Sequence, residues 1–472
     1  MASVAQKIPR RFLGLVLLVA LAINGATLLS VAHLRPAYLA DYRLNTNPDA
    51  VQYVQLGVNV WTKGVYSRQD AAPYAPDVLR TPIYPLVAGG IQAATGRIWP
   101  LYVAQILFAL ATAALLTVFT ARQFGVAAGI TAGLLCAVDP MLSCLNFEAM
   151  SDPLFVLLSS GAIWLWIRLA VSGTDSSPQR LWLGALVGVA ILTRPSGLYL
   201  PLALGATEIA VRTIQRGRPV LRGAVVAMLV SYVVVAPWVV RNYALVRLPK
   251  LTTADTINLL YFAGAGVYQV RYGIDRETAQ ARIAADYQLP TVEQSNNPWL
   301  VDRSIASMDS AERQAAWRIF RSDPPALALA SATGLMKALF SHNVAKLAEI
   351  TGYPWGGGNI DRLRSGIADG VSTLLRTTPP LLVSSLVGQL CCAVTVVLLG
   401  FVGVVMALRN GAGRLAAAML LAALSYNLMT IGIVGIDAYA RHRAPVTPIL
   451  CVFAGLAVAR IWERVAHRTK PG

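Results

Sequence analysis

The chain has 472 residues, of which 56% are hydrophobic and only 13% are charged, and its mean hydropathy is +0.56. Soluble domains carry about 25% charged residues, so the composition excludes an ordinary soluble protein and indicates an integral membrane protein. A net charge of +17 would suggest nucleic-acid binding in a soluble chain. In a polytopic membrane protein, however, Lys and Arg first determine orientation, and we expect no nucleic-acid partner. The five cysteines lack paired spacing and indicate neither a disulfide framework nor a metal site.

Long charge-free runs recur along the chain, and a spanning helix needs about 20 mostly apolar residues. A further apolar stretch, 181–211, is interrupted by Thr193-Arg194-Pro195-Ser196-Gly197. Two short crossings explain it better than one, because a single crossing would place the basic connection that follows on the outer side. The sequence therefore predicts an all-α polytopic membrane protein with about ten transmembrane helices, in a range of about 10 to 13. The charge-free runs lie at 12–34, 98–121, 123–138, 153–167, 223–240, 377–408, 415–436 and 444–459.

The positive charge predicts the topology. Lys7, Arg10 and Arg11 precede a first apolar run of 23 residues without a small-residue cleavage site, which favours a retained anchor over a signal peptide. With ten crossings, both termini are cytoplasmic, and the cytoplasmic segments hold 16 basic but only 3 acidic residues. The outer side holds 24 basic and 20 acidic residues. Most of the net charge is therefore an orientation signal.

Two sizeable outer pieces, 35–97 and 241–376, carry signs of local structure. Asn47-Pro48-Asp49 combines an N-cap residue with Pro at the first helical position, and apolar residues then recur at helical spacing until Gly64. This pattern predicts a short amphipathic helix on the membrane. Thr81–Thr95 and Pro325–Phe340 are apolar but too short to span comfortably, so we expect interfacial helices there.

Ionisable side chains gather at the outer ends of the predicted spans, where charge is costly unless it is paired, hydrated or used. Asp49 could be a first-turn acid favoured by the helix dipole, or a carboxylate that takes a proton from an incoming hydroxyl. Arg80 could snorkel to lipid headgroups, or clamp a phosphate or carboxylate with its forked donors. Together these groups indicate a membrane-face site for an anionic ligand. The other ionisable residues at these span ends are Glu148, Asp152, Arg194, Arg241, Arg441, His442 and Arg443. Glu148 and Asp152 could simply cap the next span.

A series of motifs follows the charged N-terminus and first span: PDAVQY, LRTPIYP, MSDPLF, TRPSGL, APWVVRNY and RHRAPVTP. In this order they resemble the polyprenyl-phosphate-dependent GT-C glycosyltransferases. The nearest branches are the bacterial relatives of the dolichyl-phosphate-mannose protein mannosyltransferases and the lipid A aminoarabinose transferases. No Walker loop, Gly-rich dinucleotide turn, HExxH or CxxC pair occurs, so ATPases, dinucleotide enzymes and zinc proteases of those types find no support.

The resemblance is strongest over 1–243 and 438–448, and it implies a division of the chain. We expect a GT-C membrane module at 1–243 with its first outer loop at 35–97, an outer segment at 244–378 that recognises the acceptor, and C-terminal transmembrane helices at 379–472.

Residue by residue, the resemblance assigns the catalytic acid of the first outer loop to Asp49 and the acid of the second to Asp152. Protein mannosyltransferases usually have an Asp-Glu pair in the first loop, whereas here Ala50 follows Asp49, which argues against protein O-mannosylation. The implied donor-phosphate ligands are Arg80, Arg241, Arg441 and Arg443. Side chains that could contact substrate are Tyr53, Tyr84, Glu148, Arg194 and His442.

The implied activity is inverting transfer of a hexose or pentose from a polyprenyl-phosphate donor to a lipid, glycan or protein acceptor of the cell envelope. The site would face outward from the bacterial cytoplasmic (inner) membrane, with membrane lipids, donor and acceptor as partners. No DxD nucleotide-sugar motif is present, and we expect no metal and no obligatory cofactor. A transporter or flippase for a lipid-linked sugar and a scaffold of an envelope complex remain alternatives. Transport is disfavoured because the candidate groups lie at one face of the membrane, whereas a transport pathway must be open to both.

Overall fold

A computed structural model describes residues 9–173, 177–216, 221–353, 379–409 and 414–468. The described residues are predominantly helical, as the apolar runs predict. In chain order the α-helices are α1 (Arg10–Leu34), α2 (Pro48–Lys63), α3 (Ile83–Thr95), α4 (Trp99–Phe124), α5 (Val126–Ala137), α6 (Pro140–Leu145), α7 (Asp152–Ser172), α8 (Ser177–Thr193), α9 (Leu200–Arg216), α10 (Arg222–Val246), α11 (Ala254–Asn258), α12 (Ala265–Tyr272), α13 (Arg276–Asp286), α14 (Val292–Asn296), α15 (Ile305–Ser322), α16 (Pro324–Phe340), α17 (Val344–Thr351), α18 (Pro380–Arg409), α19 (Arg414–Val434) and α20 (Thr447–Arg468).

Each predicted crossing falls on one of these helices. Six of the described helices, α1, α4, α7, α10, α18 and α19, are long and apolar enough to span a membrane, and α5 and α8 are shorter apolar helices. The predicted break in the 181–211 stretch is present, because α8 ends at Thr193 and a 3₁₀ turn over Pro195–Gly197 precedes α9. The chain is therefore an all-α, multi-pass membrane protein.

The last helix is central to the packing. Val452, Phe453 and Ala454 of α20 are completely buried, in a core shared with α7, α8 and α19. By contrast, Leu18 and Leu29 of α1 are largely exposed, which is the expected state of an apolar helix that faces lipid. The turn that precedes α20 lies at the end of the bundle that the charge pattern predicts to face outward.

The first outer loop contains the predicted amphipathic helix α2. Asn47 is its N-cap, with the side-chain oxygen accepting a hydrogen bond from the Asp49 amide at 3.0 Å. The helix ends at Gly64, whose φ of 71° is the left-handed conformation that favours glycine. Helix α3 crosses α2 at Gly57 and Gly89, where a Cβ on Gly57 would lie 1.8 Å from a backbone oxygen of α3. This close contact fixes α2 against α3.

The described part of the outer segment after α10 is mostly helical and contacts the first outer loop at several places. Arg68 of that loop forms an ion pair with Asp77, stacks on Trp299 and donates a hydrogen bond to the Asn296 carbonyl. Arg35 at the end of α1 donates to a carbonyl of α17. The expected interfacial helix at 325–340 is α16, and the connection between α5 and α7 contains the short helix α6. The proposed boundary at 243 falls inside α10 and stays a prediction.

Candidate functional site

Asp49 and Arg80 meet between α2 and the segment that leads into α3. Nη2 of Arg80 forms an ion pair with Asp49 Oδ1 and donates a 2.7 Å hydrogen bond to Gln52 Oε1. Nε of Arg80 donates to the same Gln52 oxygen at 3.1 Å, and the guanidinium lies 5.0 Å from the centre of the Tyr53 ring. Asp49, Gln52 and Tyr53 share one face of α2 because residues three and four apart are neighbours on a helix. The amphipathic helix thus holds Arg80 by its acid, its amide and its ring.

The electrostatics of this pair keep both groups charged. Burial opposes ionisation of Asp49, but attraction from Arg80, and next from Arg441, outweighs it, so the pKa of Asp49 lies below its ordinary value. For Arg80, burial is likewise outweighed by Asp49, and the pKa rises above its ordinary value. Asp49 is therefore a carboxylate at neutral pH.

Asp152 joins three separate parts of the outer face. It is the first residue of α7, and only 2% of its side chain is exposed. Its Oδ1 lies 2.5 Å from Nη1 of Arg194, in the break between α8 and α9. Its Oδ2 accepts a 3.0 Å hydrogen bond from Nε of Arg441, in the turn before α20. Asp152 therefore holds Arg194 and Arg441 in place.

A cavity of about 650 Å³ opens beside Arg441. Glu148 lies on its wall, where it accepts a 2.6 Å hydrogen bond from the Asn47 amide and lies 3.2 Å from the ammonium group of Lys346. Lys346 also binds Glu349 at 2.7 Å. Because the Asn47 side chain also accepts a hydrogen bond from the backbone amide of Asp49, one residue links the cavity wall to the candidate base.

Two arginines expected to bind phosphate have other partners. Arg443 is 2% exposed, and its Nη1 donates to the backbone carbonyls of Ala338, Leu339 and Ser341. It therefore caps the C-terminal end of α16, whose last carbonyls lack helical partners. Arg241 donates from Nη1 to the Asp77 carbonyl and lies 4.4 Å from the centre of the Trp238 ring. These contacts give Arg443 and Arg241 partners within the protein, and their role as phosphate ligands stays a prediction.

Two of the predicted substrate contacts are also placed differently. Tyr84 is completely buried and donates a 2.8 Å hydrogen bond to Gln105, so it belongs to the core between α3 and α4. His442 packs edge-on against Tyr439, and burial, together with Arg441 and Arg194, lowers its pKa to about 3. It is therefore neutral and adds no positive charge for a phosphate.

Arg441 remains the second cation at the site. Asp152, Glu148 and Asp49 attract its guanidinium, and its Nε donates a hydrogen bond to Asp152. Because Arg441 also lines the cavity, it is placed to bind an anion there. The site is thus formed by Asp49, Arg80, Glu148, Asp152, Arg194 and Arg441.

Sequence reasoning missed Gln52 and Lys346. The spacing of Gln52, three after Asp49, could have indicated a shared helix face. Lys346 lies in a segment without a motif, and only the tertiary fold brings it to Glu148.

Comparisons with known proteins agree with this architecture. Residues 80–240 match the family model for dolichyl-phosphate-mannose-protein mannosyltransferases, which confirms the resemblance over that stretch. No curated protein matches the chain significantly.

Two solved structures illustrate the similarity of fold. One is the archaeal oligosaccharyltransferase AglB from Archaeoglobus fulgidus in complex with an inhibitory peptide and a dolichol-phosphate, at a TM-score of 0.50 and 13% identity, with 95% of this chain and 51% of that chain covered. The other is ArnT from Cupriavidus metallidurans bound to undecaprenyl phosphate, at a TM-score of 0.38 and 16% identity, with 95% and 81% covered. The second score is too low to support an argument. The first confirms the predicted GT-C-like fold, although this chain spans only about half the length of AglB.

Proposed function

We propose that this protein is an inverting glycosyltransferase that moves a sugar from a polyprenyl-phosphate donor to a cell-envelope acceptor at the outer face of the bacterial cytoplasmic membrane. The observation that carries the proposal is the cluster in which the Asp49 carboxylate contacts Arg80 and is attracted electrostatically by Arg441. The dolichol-phosphate in the AglB structure supports a lipid-phosphate donor. The family match over 80–240 supports sugar transfer.

The residues suggest a single displacement. Asp49 accepts the proton of the acceptor hydroxyl, whose oxygen forms a bond to the anomeric carbon of the sugar. The bond between that carbon and the phosphate oxygen breaks, and the phosphate leaves with the electron pair. Arg80 and Arg441 stabilise the charge that develops on the leaving group. Attack opposite the leaving group inverts the configuration of the sugar carbon.

The ion pair between Asp49 and Arg80 determines the order in which the substrates bind. An Asp49 paired to Arg80 is a weak base, because its pKa is held below the ordinary value. A donor phosphate that binds Arg80 competes with Asp49 for the guanidinium and places a second negative charge nearby. Both effects raise the proton affinity of Asp49. We therefore expect the donor to bind first and to activate the base.

We propose that this reaction requires no metal. The positive charge comes from arginines, since Arg80 pairs with Asp49 and Arg194 and Arg441 pair with Asp152. A saturating chelator should then leave the transfer rate unchanged, and a loss that Mg²⁺ or Mn²⁺ restores would contradict this.

The direct test is the variant Asp49→Asn, which keeps the shape and removes the base. Purified protein in nanodiscs would be given radiolabelled polyprenyl-phosphate sugars and a cell-envelope acceptor extract. General-base catalysis contributes about 10²- to 10⁴-fold, so transfer should fall by that factor while donor binding remains. The matched control is Asp70→Asn, an exposed acid of the same outer loop, which should transfer normally. Equal rates in wild type and Asp49→Asn would remove Asp49 from the role of base.

A further inference from the structure

Most of the residues that line the outer cavity carry polar or charged groups. Among the described residues around it, the apolar ones are only Ala345, Ala348 and Gly352, and no Leu, Ile, Val, Phe or Met occurs. The remaining side chains are charged, amide, hydroxyl or tyrosine groups. The volume of about 650 Å³ lies inside the range of about 300–1,000 Å³ that small-molecule sites occupy. The cavity is large enough for a ligand, and its apolar surface comes from alanines, tyrosine rings and the stems of polar side chains rather than from aliphatic side chains.

We infer that this cavity is the acceptor site and that the acceptor it takes is a carbohydrate rather than a peptide or a lipid. The inference rests on the proposed transfer of a sugar at the adjacent acid. It reduces the three acceptor classes that the sequence left open, lipid, glycan and protein, to glycan.

The chemistry of the cavity lining indicates the class of acceptor. An acyl chain binds by being buried among aliphatic side chains, and no Leu, Ile, Val, Phe or Met is among the described residues that line this cavity. Sugar hydroxyls both donate and accept hydrogen bonds, and the Glu349 carboxylate, the Thr46 hydroxyl and the Arg35 guanidinium in the lining supply both kinds of partner. Tyr353 and Tyr439 add ring faces for the apolar face of a pyranose or furanose.

These groups are held in place before a ligand arrives. Lys346 is 7% exposed and lies 2.7 Å from Glu349, 3.2 Å from Glu148 and 3.3 Å from Asn45 Oδ1. Glu349 in turn accepts a 2.8 Å hydrogen bond from the backbone amide of Thr46. The contacts tie α17 to the first outer loop, so that binding need not order flexible side chains.

The cavity also reaches the reacting groups. Asn47 contributes to the lining, and its side chain binds both Glu148 and the backbone amide of Asp49. Arg441 contributes to the lining and binds Asp152. A sugar in the cavity therefore has one end near the candidate base and the proposed phosphate ligand.

The test is direct binding to the full-length protein in nanodiscs, measured by calorimetry. The probes are short oligosaccharides of mannose, glucose, galactose and arabinose, Ser/Thr-containing hexapeptides, and detergent-solubilised phosphatidylethanolamine. We expect an oligosaccharide to bind at millimolar concentration or below and the other two classes not to bind. Tyr353→Ala and Glu349→Gln should each weaken binding about tenfold, as expected for one lost contact of this kind.

Three controls keep the outcomes separate. Tyr353→Phe retains the ring and should retain most of the binding, which guards against a folding defect. Tyr272→Ala removes an exposed tyrosine of the outer segment away from the cavity and should bind as wild type does. Asp49→Asn should bind oligosaccharide normally while losing transfer, so a failure of the catalytic proposal would not be mistaken for a failure of this one.

Selective binding of a peptide or of phosphatidylethanolamine would overturn the inference. The inference would also be overturned if none of the oligosaccharides bound at about 10 mM, or if Tyr353→Ala and Tyr272→Ala lost equal amounts of oligosaccharide affinity.

Discussion

Asp49 combines two demands that oppose each other. It must be ionised to accept a proton, yet the Arg80 that keeps it ionised also makes it a poor acceptor. Nη2 of Arg80 contacts both Asp49 and Gln52, so Gln52 can hold the guanidinium when a phosphate displaces the carboxylate. The amide thereby allows Asp49 to be released without Arg80 leaving the site.

The pH dependence should reveal this exchange. In the free protein, the pKa of Asp49 lies below its ordinary value of about 3.9, so kcat/KM for the donor should stay level from neutral pH down to about pH 4. Protonated Asp49 cannot accept a proton, so activity falls only on the acid side. With donor bound, the pKa rises, and the acid limb of kcat should lie at higher pH than that of kcat/KM. Coincident limbs would contradict the exchange.

Asp152 should matter for stability as well as activity. Removing one partner of a buried ion pair costs about 3–5 kcal/mol, and Asp152→Asn leaves Arg194 and Arg441 without their carboxylate. Its free energy of unfolding should fall by about that amount in denaturant titrations. The control Glu463→Gln breaks an exposed pair with Arg460 and should cost less than about 1 kcal/mol. Equal losses in the free energy of unfolding of the two variants would show that Asp152 does not stabilise the contact between α7, α9 and α20.

At the scale of elements, the site depends on how α2 crosses α3. Asp49 begins α2 and Arg80 lies just before α3, so their ion pair requires the backbone contact at Gly57 and Gly89. A Cβ at Gly57 would meet backbone rather than a movable side chain, and the helices would have to separate.

Gly57→Ala should therefore reduce sugar transfer strongly and lower thermal stability, although the residue touches no proposed substrate. Gly161→Ala in α7 is the matched control, because its nearest foreign atom would be 4.0 Å away, and it should behave as wild type. Transfer assays and melting temperatures of both variants measure this. A Gly57→Ala protein with normal transfer would show that the contact does not position the pair.

The elements also show where sequence reasoning succeeded. Helix α2 was predictable because its cap, its proline and its terminal glycine are local signals, and Asp49 was identified from that pattern and from the family motif. The role of Arg443 was not predictable, because its partners are carbonyls of α16 about a hundred residues earlier in the chain. The same holds for Lys346, which reaches Glu148 only through the packing of α17 on the first loop. Local signals indicate helices and motif residues, whereas ion-pair partners depend on tertiary contacts.

At the scale of the whole molecule, the orientation remains a prediction from charge. The model of about ten crossings places α15 outside and the connection between α7 and α8 inside. Ser310→Cys puts a thiol at an exposed position of α15, and Gln179→Cys puts one at an exposed position in the first turn of α8, directly after that connection. In intact cells a membrane-impermeant maleimide should label Ser310→Cys and should label Gln179→Cys only after lysis. The reverse pattern would invert the topology.

The central claim is that the lipid-linked sugar is consumed, rather than moved across the membrane. The most direct measurement follows a polyprenyl-phosphate sugar labelled in both lipid and sugar, in proteoliposomes with the envelope acceptor. We predict that free polyprenyl phosphate and glycosylated acceptor form in equal amounts, and that both vanish in Asp49→Asn. Intact donor that crosses the bilayer, with no release of polyprenyl phosphate, would contradict the account and identify a transporter.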